Sequence, residues 1–350
     1  MTTAPDAPAT TAAPDTTPAP PSRLRTAAKL LGVSLVIPVL AAVALGLFAW
    51  PVSQLAPRDL PIGLAGPTQM TAPLAGQLAK AAGSDAFDVH QYADEAAARA
   101  AIKDREIYGA IVAGPRGVTL LTASAASPLV SQLLTQAVTA QAARAGQGGQ
   151  PAAVPKVVDV VRTTSEDPRG VVLGAALLPL VLVGLMTGIL VSTVARAGWG
   201  QVIGLVVASA LAGLAGVAVA QEWLGAFGGD WWLNAGVLGL TVLAIGAVVT
   251  GLADLIGPAG LGLGAALMML VGNPFSGVTS APELLPRWAG ITGQLLPPGA
   301  GGNLLRSSAY FDNAAALRPA MVLVGWVAIG LACLTLGTLR RHGRSGIHRP

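Results

Sequence analysis

VVLGAALLPLVLVGLMTGILVSTVA, the stretch from Val171 to Ala195, holds no Asp, Glu, Lys or Arg. A helix rises about 1.5 Å per residue, so about 20 apolar residues cross the hydrocarbon core of a bilayer. The stretch is long enough to do so, and buried helices of soluble proteins seldom run this far without a charge. Four more charge-free blocks lie downstream: Ala197 to Gln221, Trp232 to Ala253, Leu255 to Pro282 and Pro319 to Leu339. Upstream, Leu30 to Trp50 forms a sixth apolar run behind Arg23, Arg25 and Lys29. Composition agrees, since only 11% of the 350 residues are charged where a soluble chain carries about a quarter. The expected fold class is an α-helical polytopic membrane protein with six transmembrane helices and an extracytoplasmic α/β domain inserted between the first and second spans.

The expected domains come from changes in composition. Residues 1–22, almost all Thr, Ala, Pro and Asp, read as a disordered cytoplasmic tail, because such a segment buries too little apolar surface to offset its ordering entropy. Residues 23–50 read as an uncleaved first span, since the Trp50-Pro51 boundary is a poor small-residue cleavage site. Between 51 and 169 charges return and apolar runs shorten. Leu60–Gly66, Phe87–Tyr92, Tyr108–Ala113, Val118–Thr122 and Lys156–Thr163 read as strands. Pro73–Ala82, Asp94–Glu106 and Ser127–Arg144 read as helices, with Gly114-Pro115-Arg116-Gly117 as a hairpin and 146–150 as a hinge. Residues 170–340 read as five further spans, near Gly170–Ala195, Gln201–Ala220, Asn234–Ala253, Ala259–Val278 and Pro319–Leu339. Within them, 279–318 is expected to form an outer amphipathic segment. Residues 341–350 form a basic tail.

The basic residues set the expected orientation. Arg23, Arg25, Lys29, Arg196, Arg340, Arg341, Arg344 and Arg349 share one side under this assignment, which places both termini in the cytoplasm. They mark topology rather than a nucleic-acid surface, so no nucleic-acid partner is expected. Ala/Gly/Arg-rich, lysine-poor usage points to a high-GC bacterium and hence to the plasma membrane. Small residues recur at Gly184-x-x-x-Gly188, Ala212-x-x-x-Gly216-x-x-x-Ala220 and Gly260-x-x-x-Gly264, a spacing that permits close helix approach.

Several chemistries lack their residues. All four lysines follow residues other than Gly, so no phosphate-binding P-loop exists. His90, His342 and His348 are far apart, and the single Cys333 lies inside the last span, so no metal and no cofactor is expected. Glu283, Asp312 and Asp230 read as lone surface acids, and no enzyme activity is expected. No carboxylate lies deep in a span, which argues against an ion-coupled carrier. Asp254 reads as an interfacial residue at the inner end of its helix.

The chain resembles the ABC-2 type transporter permease family, within it the phage infection protein (YhgE/Pip) branch. The likeness rests on Asp94-Glu95-Ala96-Ala97-Ala98-Arg99-Ala100-Ala101-Ile102 leading to Tyr108-Gly109-Ala110-Ile111-Val112. It also rests on Asn273-Pro274-Phe275-Ser276-Gly277, Leu285-Pro286, Leu296-Pro297-Pro298 and Arg306-Ser307-Ser308-Ala309-Tyr310-Phe311. The resemblance implies a homodimeric membrane subunit exporting lipidic, glycan or peptide cargo with energy from a separate ATP-binding subunit. Arg196, Trp199 and Asp254 are then the expected cytoplasmic partner contacts, and Pro274, Trp288 and Arg306 mark the outer interfacial segment. Two features depart from the family: the Arg196–Gly200 link is short for a coupling helix, and no amphipathic connecting helix precedes the first span. The alternative is a non-transporting envelope scaffold or receptor acting through residues 51–169.

Overall fold

The computed structural model describes residues 23–83, 85–114, 117–147 and 155–345. The expected tail at 1–22, most of the hinge at 146–150 and the last residues of the basic tail lie outside them. Helix α1 runs Arg23–Ser53, three residues past the expected boundary at Trp50. The chain divides after Gly46 into two units, and the second, which begins at Leu47, holds the sheet and every later helix.

Strand β1 (Leu60–Ala65) leads to α2 (Thr68–Ala82), β2 (Phe87–Tyr92) and α3 (Glu95–Lys103). Strands β3 (Gly109–Gly114) and β4 (Gly117–Thr122), helix α4 (Pro128–Gln147) and β5 (Lys156–Asp159) complete the region. The five strands form one sheet in the order β2-β1-β3-β4-β5. Only β3 and β4 are antiparallel, in the register Gly114↔Gly117 to Gly109↔Thr122 that the hairpin spacing implies. Parallel pairing of β1 with both β2 and β3 requires the helical crossovers that α2 and α3 supply. Helix α2 begins five residues before the expected start at Pro73. The Pro67 carbonyl already accepts from the Met70 and Thr71 amides, so the helix opens directly out of the Gly66-Pro67 turn. Asp94 caps α3, its Oδ1 accepting from the Ala97 amide at 2.8 Å.

Both faces of the sheet are covered, and later chain takes part in covering them. Ala65, Ala98, Ile102, Ala110 and Leu121 bury Phe311 on one face. Leu60, Ile62, Leu64, Leu120, Val130 and Leu134 bury Ala281 and Leu284 on the other. Each fully buried Leu or Ile here contributes about 1.5–3 kcal/mol relative to exposure. The amides of Ala56 and Arg58 donate to the carbonyls of Leu284 and Glu283, both at 3.0 Å. The sheet is thus clamped by the segment that precedes the last long helix.

The return to the bundle is capped by Asp167, whose carboxylate accepts from the Val171 and Val172 amides at 3.1 and 2.9 Å. There α5 (Val171–Val194) begins, followed by α6 (Trp199–Val217, continued by a π turn to Trp223) and α7 (Trp231–Ile256). Next come α8 (Pro258–Ala266, continued by a π turn to Gly272), α9 (Arg287–Gln294), α10 (Pro297–Tyr310) and α11 (Leu317–Ser345). Among the described residues, five helices are long and apolar enough to cross a membrane: Ser34–Ser53 of α1, α5, α6 with its π turn, α7, and Leu317–Arg341 of α11. The chain is a helical membrane protein on this ground.

Helix α7 is the hub, with 78% of its apolar window buried against 6–39% for the other four. Small residues let its neighbours approach. A Cβ on Gly184 would sit 2.8 Å from Ile245, and one on Gly188 would sit 2.7 Å from Val249, so α5 runs parallel to α7. Contacts of Gly213 with Ala235, and of Gln201 with Asp254, make α6 antiparallel to α7. Helix α11 is parallel, with Gly330 against Ala247 and Gly337 against Asp254. Helix α8 is antiparallel, with Gly260 against Leu252 and Gly264 against Val249. All three small-residue patterns of the sequence therefore meet α7, although Gly216 touches only the Leu238 side chain.

The expected span at Ala259–Val278 takes a different form. A nine-residue helix and a six-residue π turn cover Pro258–Gly272, about 22 Å at the helical rise. Asn273-Pro274 then breaks the run, because Pro offers no amide to continue it. The segment 279–318 is also not one amphipathic element. Helix α9 is amphipathic, burying Ala289, Gly290 and Gly293 while Trp288, Ile291 and Leu295 stay exposed. Pro297-Pro298 supplies the first turn of α10, where a missing N–H costs nothing. Twelve of the fourteen residues of α10 are buried. Gly301 lies against Thr241 and Gly302 against Val278, contacts that a Cβ would close to 2.4 and 2.3 Å. Helix α10 thus packs along the half of α7 nearest the sheet, from Thr241 to Asn234.

Candidate functional site

The residues expected at the far end of the bundle, away from the sheet, separate into two kinds. Arg196 and Trp199 are exposed, Trp199 at 79%. They flank the short turn joining α5 to α6. The Asp254 side chain is only 4% exposed, forms an ion pair with Arg341 and accepts from Gln201 Nε2 at 3.3 Å. It holds α7, α6 and α11 together and is turned away from solvent.

At the sheet end, Trp288 stacks on Trp50 with ring centroids 5.4 Å apart and meets Phe275 edge-on at 5.3 Å. Trp50, Trp223, Trp232 and Trp288 all remain exposed at this end, where an indole half in lipid and half in water is favourable. Pro274 is half-buried in the turn after α8. Arg306 is no interfacial residue. It is 6% exposed because α10 carries it into the protein, where its Nη2 donates to the Val278 carbonyl at 2.8 Å.

Arg306 leads to a cavity with a polar lining. A space of about 280 Å³ lies between the sheet region and α10, lined by Arg105, Tyr108, Glu283, Asn303 and Arg306, with Glu106 and Arg318 also on its wall. Arg105 comes from the turn after α3, where its φ of +61° is unusual for a residue with a Cβ. Its Nη1 donates to the Asn303 carbonyl at 3.1 Å and to Ser307 Oγ, and its Nη2 donates to Asn303 Oδ1. Its guanidinium also lies 5.3 Å from the Phe311 ring centroid. Asn303 in turn donates to Gln294 Oε1 at 2.9 Å, and Gln294 donates to the Ser276 carbonyl at 2.6 Å. Tyr108 O–H donates to Glu283 Oε2 at 2.7 Å. Glu283 is therefore not a lone surface acid. Asp230, another of the expected lone acids, caps α7 by accepting from the Leu233 amide at 2.7 Å. Asp312 is exposed.

The electrostatics follow from burial. Burial and the Glu283 carboxylate push the Tyr108 phenol well above its ordinary value. Burial, and then the charge of Arg306, lower Arg105 to about 10, with Tyr108 and Glu283 acting in the opposite sense. Arg105 therefore remains a cation at neutral pH. Neither Arg105 nor Arg306 has a carboxylate within 4.0 Å among the described residues, and Arg306 Nε is buried with no hydrogen-bond partner. Buried charges are ordinarily paired.

The sequence reading missed Arg105, Tyr108 and Glu283 as a group. Lys103-Asp104-Arg105-Glu106 looks like a solvated charge run, and its members are separated from Glu283 and Arg306 by more than the whole of α5–α8. Arg306 itself did carry a signal, as the one charge between Trp288 and Asp312. No group of three or more His, Cys, Asp or Glu residues that could hold a metal occurs among the described residues. No protein-family model matches the chain, and comparison with curated proteins and with solved structures finds no match.

Proposed function

We propose that the chain is the membrane-spanning subunit of an ABC-2-like exporter, a homodimer moving lipidic, glycan or peptide cargo outward with energy from a separate ATPase. In this reading the sheet end faces out and both termini face the cytoplasm of the plasma membrane. The observation that carries it is the helix pair α8 and α10. An apolar helix stops short, and the chain then folds back into the sheet end of the bundle before the last long helix. That arrangement accords with the interrupted outer segment that the family resemblance implies. Exposed Arg196 and Trp199 would meet the ATPase. Purification of the tagged protein in mild detergent tests the reading. A stoichiometric P-loop ATPase, with ATP turnover stimulated by cargo, supports it. An intact protein that retains no ATPase contradicts it.

A second reading is an envelope scaffold or receptor acting through residues 51–169. It is favoured by the link between α5 and α6, which is only Ala195–Gly198 and offers an ATPase little to push. A deletion strain with unchanged export but a lost partner of the sheet domain would select this reading.

A further inference from the structure

We propose that the cavity between the sheet and α10 binds a phosphate-bearing anionic group held by Arg306 and Arg105. Arg306 is 6% exposed, lines the cavity, has no carboxylate partner among the described residues, and keeps Nε buried without an acceptor. Arg105 lies on the same wall with its Nη groups committed to Asn303 and Ser307, so it supplies fixed charge while Arg306 supplies a free donor. Glu283 is the one acid facing them from the inside among the described residues, and it already accepts from Tyr108. At the wall, Arg318 and Glu106 are both exposed and offset each other. Inside, two cations and one carboxylate leave a net charge of one, which a phosphodiester would neutralise.

Phosphate is favoured over other anions by the donors and by their position. Guanidinium groups match phosphate oxygens in geometry and are less strongly hydrated than ammonium groups. The cavity lies beside Arg318 and Pro319, in the first turn of α11, and Ser308, two residues beyond Arg306, bonds Asn234 in the first turn of α7. Long apolar helices begin at this level, which is where the phosphates of a bilayer lie. A volume of about 280 Å³ falls just below the range of roughly 300–1,000 Å³ that holds drug-sized ligands, so a headgroup or a small phosphate compound fits. The inference does not rest on the permease reading, since no ATPase enters it.

The test is thermal unfolding of the full-length protein in neutral detergent. Four probes are added separately at matched ionic strength: inorganic phosphate, dihexanoyl-phosphatidylglycerol, dihexanoyl-phosphatidylcholine and acetate. A saturable rise in midpoint with phosphatidylglycerol alone supports a lipid source, and a rise with inorganic phosphate as well supports a free phosphate compound. Arg306→Met is expected to weaken the response at least tenfold. Glu283→Gln keeps the acceptor for Tyr108, removes the opposing charge, and is expected to tighten binding roughly tenfold. If Arg306→Met does not fold, Glu283→Gln carries the test by itself, and unchanged affinity contradicts the proposal. No shift with inorganic phosphate or with phosphatidylglycerol overturns it, as does an equal response to acetate or to the zwitterionic phosphatidylcholine.

Discussion

Helices α7 and α10 are both surrounded by protein on nearly every side, and they are made of different material. Helix α7 is long and apolar, and it is buried because four neighbours press small residues against it. Helix α10 is short, starts Pro-Pro-Gly-Ala-Gly-Gly, and carries Asn303, Arg306, Ser307 and Ser308. It is buried because Asn303 and Ser307 bond Arg105 of the sheet region, Ser308 bonds Asn234 of α7, and Arg306 donates to the Val278 carbonyl, with only its Nε left over. Hydropathy identifies a helix such as α7 and passes over one such as α10. In one case burial comes from close packing of backbones, and in the other from satisfied hydrogen bonds.

The largest effect tests the packing route. A Cβ on Gly251 would lie 2.2 Å from the Gly330 carbonyl, so Gly251→Leu must force α7 and α11 apart. The expected cost is about 3 kcal/mol, read as a lower unfolding midpoint and loss of monodisperse protein in detergent. Gly262→Leu is the control, because nothing lies within 4 Å of its built Cβ. Equal behaviour of the two variants would break the claim that backbone approach organises the bundle.

A smaller effect tests the polar route. Ser308 Oγ donates to Asn234 Oδ1 at 2.7 Å, while Asn234 Nδ2 donates to Gln221 Oε1 and the Gly228 carbonyl, both at 2.8 Å. Ser308→Ala leaves a buried amide oxygen without its donor and is expected to cost about 1–3 kcal/mol by thermal unfolding. A Ser308→Ala, Asn234→Leu pair that loses no more than Asn234→Leu alone would show that the two groups act as one unit.

The smallest effect sharpens the electrostatics of the cavity. The raised Tyr108 pKa stabilises the fold below about pH 10, the free phenol value, and that contribution is lost as pH rises through the folded pKa. Arg105, lowered to about 10, acts in the opposite sense between that value and its ordinary one. The stability difference between wild type and Tyr108→Phe should therefore narrow as pH climbs above 10. Tyrosinate absorbance should show Tyr108 still protonated in the folded protein where a free phenol is half ionised. Ionisation of all three tyrosines near pH 10 without unfolding would contradict this.

The long apolar helices were legible because charge is absent for more than 20 residues at a time, and burial in lipid or protein demands that. The sheet was legible because alternation in Phe87–Tyr92 and Gly/Pro punctuation around 114–117 are local signals. The short α8 run and the largely buried α10 were not. Asn273-Pro274 marks a break but carries no signal for the path of the chain beyond it, and the Gly-rich start of α10 has meaning only beside Thr241 and Val278. The cavity was invisible for the same reason, since Arg105, Glu283 and Arg306 come together through tertiary packing alone.

The central claim is that the sheet region and α10 share one side of the membrane, opposite the turn between α5 and α6. Cysteine labelling tests it most directly. With Cys333→Ala as background, Gln91→Cys, Asn313→Cys and Gly198→Cys are treated in intact cells with a membrane-impermeant maleimide. The account predicts labelling of positions 91 and 313 from outside, and of 198 only after permeabilisation. Labelling of 91 and 313 from opposite sides, or of 198 together with 91, would contradict it.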